Sequence, residues 1–143
     1  MKLLLSIVIC LAAGFIGSVF TTPAIPVWYA GLTKPFFTPP SWLFAPVWTT
    51  LYFLMGITLS KLWTKKMAAA RKWFFIQLGL NIFWSVAFFG LKNPFLALIV
   101  IFALAISIIK TIQLSSSKLL YPYLAWVSFA SLLNFAIVVL NPS

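Results

Sequence analysis

Gln77, Asn81, Trp84 and Phe88 are spaced four, three and four residues apart, so on a helix they share one face. Tyr123, Trp126, Ala130 and Asn134 repeat the pattern at three, four and four, and Trp48 and Tyr52 lie one turn apart. Rings combined with a few amides and hydroxyls suit a flat, largely apolar ligand, whose faces stack and whose edge takes a hydrogen bond. The same stripes also suit plain packing, with the amides as glue between helices and the tryptophans as filler. The spacing alone leaves both readings open.

Other chemistry is closed off by residues that never occur. The chain has no Asp, Glu or His. Without carboxylate or imidazole side chains there is no acid–base pair, no Ser-His-Asp triad and no carboxylate proton relay. The usual metal ligands are missing too, so no metal site is expected. The single Cys10 sits in an apolar run and reads as a small packing residue that cannot form a disulfide within the chain.

The elements that must position these rings are membrane helices. Of 143 residues, 64% are hydrophobic and only 7% charged, too few to clothe a soluble domain. A bilayer core takes roughly 20 apolar residues per helix. Five such spans consume nearly the whole chain and make residues 1–143 one all-α membrane domain. They are expected at about 3–22, 42–62, 73–91, 94–113 and 119–140. The first also has the outline of a signal peptide, but its apolar run is long and it reads as a retained helix. Within it Gly14 with Ser18, and Gly17 with Thr21, would let a neighbour approach closely. Residues 23–41 hold Pro23, Pro26, Pro35, Pro39 and Pro40 and are expected to form a long loop folded back on the bundle. Asn93-Pro94 is expected to turn, and Trp42, Trp63 and Trp73, near span ends, to anchor at the interface.

All ten charges are Lys or Arg. In a membrane protein such an excess marks cytoplasmic loops and attraction to anionic lipid, not nucleic acid. Lys2, Lys61, Lys65, Lys66, Arg71, Lys72, Lys110 and Lys118 fall on one side of five spans, against Lys34 and Lys92 on the other. That places the N-terminus in the cytoplasm of a bacterial cell. No internal repeat hints at an inverted-repeat transporter.

Several segments resemble the TspO/MBR family of tryptophan-rich sensory proteins. They are Trp28-Tyr29, Leu32-Thr33-Lys34-Pro35, Thr38-Pro39-Pro40-Ser41-Trp42 and Pro46-Val47-Trp48-Thr49-Thr50-Leu51-Tyr52. In the third span Gln77-Leu78-Gly79-Leu80-Asn81 and the stretch from Trp84 to Gly90 look like the family core. In the fifth, Tyr121-Pro122-Tyr123-Leu124-Ala125-Trp126 and Phe129-Ala130 to Leu133-Asn134 do. The resemblance implies a five-helix bundle, commonly a homodimer, with a ligand cavity capped by the first loop. Its ligands would be porphyrins such as protoporphyrin IX or heme, with no other cofactor required. The cavity would be lined by Trp48, Tyr52, Asn81, Trp84, Trp126, Phe129 and Ala130, with Trp28 and Pro40 on the lid side. Trp48 and Trp126 occupy the positions that relatives link to light-dependent porphyrin breakdown. Pairing is expected through the third span, at the small residues Gly79, Ser85 and Ala87.

Two departures from the family pattern bear on function. No Lys or Arg occurs after Lys118, so the Tyr-to-Lys/Arg pattern of cholesterol-recognising relatives is absent. The fourth span runs through Leu98, Ile99, Val100 and Ile101 where many relatives carry an acid. The leading expectation is a membrane receptor or sensor for porphyrin-like tetrapyrroles. Porphyrin photodegradation, transport of tetrapyrrole or lipid, and a purely structural subunit are the alternatives.

Overall fold

The computed structural model describes residues 2–141 as five long helices joined by short turns. Helix α1 spans Lys2–Ala24 and continues through a wider π turn at Ile25–Tyr29. Helix α2 is Phe44–Thr64, α3 is Ala68–Ser85 with a second π turn at Val86–Gly90, α4 is Pro94–Ser115 and α5 is Tyr121–Leu140. Counted with their flanking turns, all five are long and apolar enough to cross a membrane. In hydrocarbon a helix meets its own backbone hydrogen bonds, which is why such sequences fold this way. Large side chains such as Leu4, Phe15 and Phe95 point outward, as lipid-facing residues should.

The first loop is shorter than its prolines suggest. The helix passes Pro23 and Pro26, and only residues 30–40 are irregular apart from their own tight turns. Both prolines are on the exposed face. A proline ring clashes with the carbonyl four residues back, and the π register widens the helix at that point, closing with Ala30 N–H on the Ile25 carbonyl at 3.0 Å. The third helix likewise begins earlier than expected. Ala68, Ala69 and Ala70 are strong helix formers, so Arg71 and Lys72 lie inside α3 and the turn shrinks to residues 65–67. Arg71 closes that corner by donating to the Leu62 carbonyl at 3.1 Å and lying over the Trp63 ring at 4.5 Å. Trp42 is exposed beside a 3₁₀ turn, whereas Trp73 is half-buried within α3 and not at its start. Asn93 caps α4 by accepting from Leu96 N–H at 3.1 Å, with Pro94 in the first turn.

Helix α1 packs chiefly on α2, α3 on α4, and α4 on α5, with α1 also crossing α3. Two apolar clusters result. One gathers Cys10, Leu51, Met55, Leu59, Phe74, Leu104, Ile108 and Val127. The other gathers Ala24, Tyr29, Ala87, Phe88, Phe89, Ala97 and Ile137 around the two π turns. Ser85 and Ala87 belong to the protomer's own interior, so neither can form a seam with a second copy. The π turn carries Ala87, Phe88 and Phe89 inward in succession. Gly79 alone of the three faces outward, with open space around it.

Among the glycines, the closest approach of a neighbouring helix is at Gly56 in α2. A Cβ there would lie 2.5 Å from the Ile7 Cα of α1, against backbone that cannot swing away. Gly56→Ala should therefore destabilise the bundle by about 1–3 kcal/mol, read as a lower melting temperature in detergent. Ile7→Ala should not rescue it, because the obstructing atom is backbone. A melting temperature no lower than that of Thr49→Ala, an exposed change on the same helix, would refute this packing.

Candidate functional site

Between the two clusters lies a chamber of about 190 Å³. Its rings come from every long helix except α4. From α2 come Phe44, Trp48 and Tyr52, spaced four residues apart on one face. Trp48 stacks on Tyr52 with centroids 5.7 Å apart and meets Trp126 of α5 edge to face at 6.4 Å. Trp126 in turn leans on Phe129 at 5.7 Å. On the α3 side Trp84 stacks on Phe88 at 5.2 Å. Helix α1 contributes Gly14 and Gly17, where side chains would intrude. A Cβ on Gly14 would reach within 2.6 Å of the Tyr52 ring, so glycine lets that ring lie flat against α1.

The polar groups around the chamber divide into two kinds. Most are already committed. The Tyr52 hydroxyl donates to Asn81 Oδ1 at 2.5 Å, and Asn81 Nδ2 donates to the Tyr123 hydroxyl at 2.7 Å. Tyr123 donates onward to Gln77 Oε1 at 2.6 Å. That chain ties α2, α3 and α5 together. Elsewhere in the wall, Trp84 Nε1 donates to Asn134 Oδ1 at 3.0 Å, and Asn134 Nδ2 to the Pro94 carbonyl at 2.9 Å, joining α3, α5 and α4. Two lining residues are different. Trp126 Nε1 and the Tyr29 hydroxyl are buried and have no hydrogen-bond partner among the described residues.

The loop 30–40 packs outside the chamber, and none of its residues lines it. Lys34 Nζ donates to the carbonyls of Tyr29, Leu32 and Ala30 at 3.0, 3.2 and 3.3 Å and lies 5.0 Å from the Tyr29 ring centre. Thr33 and Asn141 exchange two hydrogen bonds at 2.9 and 2.7 Å, fastening the loop to the end of α5. Phe37 lies against Phe129 at 6.0 Å.

The sequence-predicted residues divide accordingly. Trp48, Tyr52, Trp84, Trp126, Phe129 and Ala130 line the chamber together. Asn81 does not. It is buried behind Tyr52, its donors and acceptor directed to the two tyrosines instead of to the chamber. Trp28 also stands behind the wall, edge-on to Phe88 at 5.4 Å. Pro40 is an exposed residue leading into the 3₁₀ turn, and its neighbour Ser41 lines the chamber. Tyr29 and Phe44 were missed. Phe44 was findable, since 44, 48 and 52 share one helix face. Tyr29 was not, because it follows three residues after a proline in a stretch that reads as loop.

Trp126 and Phe129 also have a second outlook. With Pro46, Val47, Thr50 and Pro122 they line an outer groove of about 650 Å³ between α2 and α5. One layer of aromatic side chains thus separates the chamber from the apolar flank of the bundle.

Comparisons with known proteins agree with this architecture. The sequence model of the TspO/MBR family matches residues 6–140. The chain is 52% identical to the tryptophan-rich protein TspO of Archaeoglobus fulgidus and 45% identical to that of Chlorobaculum tepidum, each match covering 99% of this chain and 97% of the relative. It is 37% identical to the human translocator protein, over 86% of this chain and 80% of that one. An all-helical chain with five membrane-length spans, matched end to end in this way, is an integral membrane protein that belongs to the TspO/MBR family.

Proposed function

We propose that this protein is a membrane receptor or sensor that holds a porphyrin-like tetrapyrrole, protoporphyrin IX or heme, in the aromatic chamber. The observation that carries this reading is the pairing of stacked rings with two uncommitted polar groups, Trp126 Nε1 and the Tyr29 hydroxyl, on residues that line one chamber. Rings offer the faces of a flat ligand a surface, and a buried donor without a partner gains by meeting an acceptor on the ligand's edge. Trp48, Tyr52, Trp84, Trp126, Phe129 and Ala130 would touch the ligand. Asn81 would act from behind, by fixing Tyr52, and Trp28 and Pro40 by supporting the lid side. At about 190 Å³ the chamber is below the usual range for a ligand of this size. Binding would therefore require the chamber walls to spread, the Trp126–Phe129 partition among them.

A second reading, light-dependent porphyrin breakdown, is favoured by one contact. Trp48 and Trp126 meet edge to face at 6.4 Å, so both indoles would border a single bound ring. An excited porphyrin with oxygen would carry the difficult step, and no acid or base is needed.

Titration of the purified protein with protoporphyrin IX, followed by tryptophan quenching, tests both readings. Each ring should contribute about 1–3 kcal/mol, so Trp48→Ala and Trp126→Ala should each weaken binding roughly tenfold or more. Trp63→Ala, at the end of α2 beneath Arg71, should leave binding unchanged. Equal losses at all three positions would remove the chamber as the site. If Trp48→Phe and Trp126→Phe bind but give no product in light, the indoles are reactants; constant product per bound porphyrin makes them walls.

The orientation follows from the eight-to-two division of cations between the faces. We place the N-terminus in the cytoplasm of a cell membrane and the C-terminal end of α5 outside. A C-terminal fusion to a reporter that works only in the cytoplasm should be silent, and strong activity would invert the assignment.

We further propose a homodimer that pairs through the outer face of α3, where Gly79 lies between the exposed Ile76 and Phe83. Small residues let helices approach in lipid, where packing supplies the attraction. Since nothing in the protomer obstructs a side chain at Gly79, Gly79→Leu should lower the crosslinked dimer fraction in bilayers without lowering the melting temperature. Unchanged crosslinking would rule out this seam.

A further inference from the structure

A second concavity, of about 320 Å³, lies at the strongly basic end of the bundle. It opens between the last turn of α2, the 65–67 turn and the link from α4 to α5. Lys61, Lys65 and Lys118 line it, together with Ser115, Ser116 and Ser117.

These lysines differ from Lys34 and Arg71 in what surrounds them. Lys34 is surrounded by carbonyls, and Arg71 is engaged with the Leu62 carbonyl and the Trp63 ring. Lys61, Lys65 and Lys118 are exposed and are not matched by any acidic side chain, since the chain has no Asp or Glu. Three ammonium groups around one pocket fall within a Debye length of each other and repel. An anion seated among them relieves that repulsion.

The pocket's walls are fixed by the protein itself. Thr58 Oγ1 and Ser117 Oγ are hydrogen-bonded at 3.1 Å, which holds the α4–α5 link against α2. Ser115 Oγ donates to the Thr111 carbonyl at 2.6 Å and accepts from Ser117 N–H at 3.2 Å. Ser116 turns the chain in the left-handed region, with φ of 57°. Its exposed hydroxyl is free of any such bond among the described residues. The site thus offers three ammonium groups and a hydroxyl on a braced frame. Leu62, Met67 and Leu119 complete its lining. Its residues sit where spans end and begin, at the depth of lipid headgroups.

A ligand with a phosphate at one end and hydrocarbon at the other matches this mixed lining. We infer that this pocket binds the phosphodiester headgroup of an anionic phospholipid, with Lys61, Lys65 and Lys118 around the phosphate. Basic pockets between spans on the cytoplasmic side are suited to such headgroups. The site is separate from the aromatic chamber and shares no residue with it.

The full-length protein in a neutral detergent can be titrated with phosphatidylglycerol and, in parallel, with phosphatidylcholine, with bound lipid counted by native mass spectrometry. One phosphatidylglycerol should bind at least tenfold more tightly than phosphatidylcholine. The triple variant K61Q/K65Q/K118Q should lose that preference. The triple variant K2Q/K72Q/K110Q removes the same charge from the same face outside the pocket and should keep it within about twofold. Equal loss in both variants would mean a diffuse field and overturn the site. Equal affinity for the two lipids in the unaltered protein would overturn it without any variant. If millimolar inorganic phosphate displaces the lipid completely, the ligand is free phosphate and the lipid assignment fails. Should the first triple variant not fold, the single variants K61Q, K65Q and K118Q must each reduce the preference, and three unaffected variants refute the proposal.

Discussion

The bundle depends on Asn81. In hydrocarbon an amide without partners is costly, and this one has its oxygen and its nitrogen each bonded to a tyrosine hydroxyl, with Gln77 closing the chain. Hydrogen bonds between membrane helices contribute on average about 0.6 kcal/mol and at most about 1.7 kcal/mol each. Such values are too small to be the main source of stability. Their effect is on geometry. The chain of bonds runs from α2 through α3 to α5, and α2 and α5 approach each other mainly through side chains such as Trp48 and Trp126. A tie through α3 keeps them in register while leaving a gap between them. The chamber lies beside that tie, and Tyr52 forms part of its wall with its hydroxyl held by Asn81.

Periodicity made most of this legible. Helix faces at 48 and 52, at 77 to 88 and at 123 to 134 converge as the spacing predicts, since a straight helix preserves its face over several turns. Spacing could not say which polar members of a stripe point at the cavity and which point at each other. Asn81 and Trp84 lie three residues apart on one face, yet Asn81 is consumed within the bundle and Trp84 lines the chamber. That difference arises from what neighbouring helices supply, and no single helix encodes it.

The loop and the small residues were less legible, for a local reason. Prolines at 23 and 26 signal a break, but a π turn absorbs them and carries the helix on to Tyr29. A second π turn after Ser85 rotates Ala87, Phe88 and Phe89 inward together, which a 3.6-residue period does not allow. The two π turns pack against each other through Trp28, Tyr29, Phe88 and Phe89. Both irregularities therefore serve one end of the chamber, where two widened helices bring consecutive aromatic residues to the same wall.

A chain without a single acidic residue must build its interior and its surface by different rules. Inside, amides, hydroxyls and indoles satisfy each other in neutral pairs, so no buried charge has to be compensated. Trp126 Nε1 and the Tyr29 hydroxyl stand outside those pairs, and both belong to the chamber wall. At the ends of the spans, ten cations have no acidic side chain to meet. Lys34 and Arg71 resolve this with backbone carbonyls and aromatic faces. Such carbonyls are scarce, because helices consume nearly all of their own. The remaining cations must find negative charge in the surroundings, and for a membrane protein the surroundings at that depth are headgroups. The composition that denies this protein acid–base chemistry thereby directs its binding in two ways: neutral and aromatic within the bundle, and cationic at its basic end.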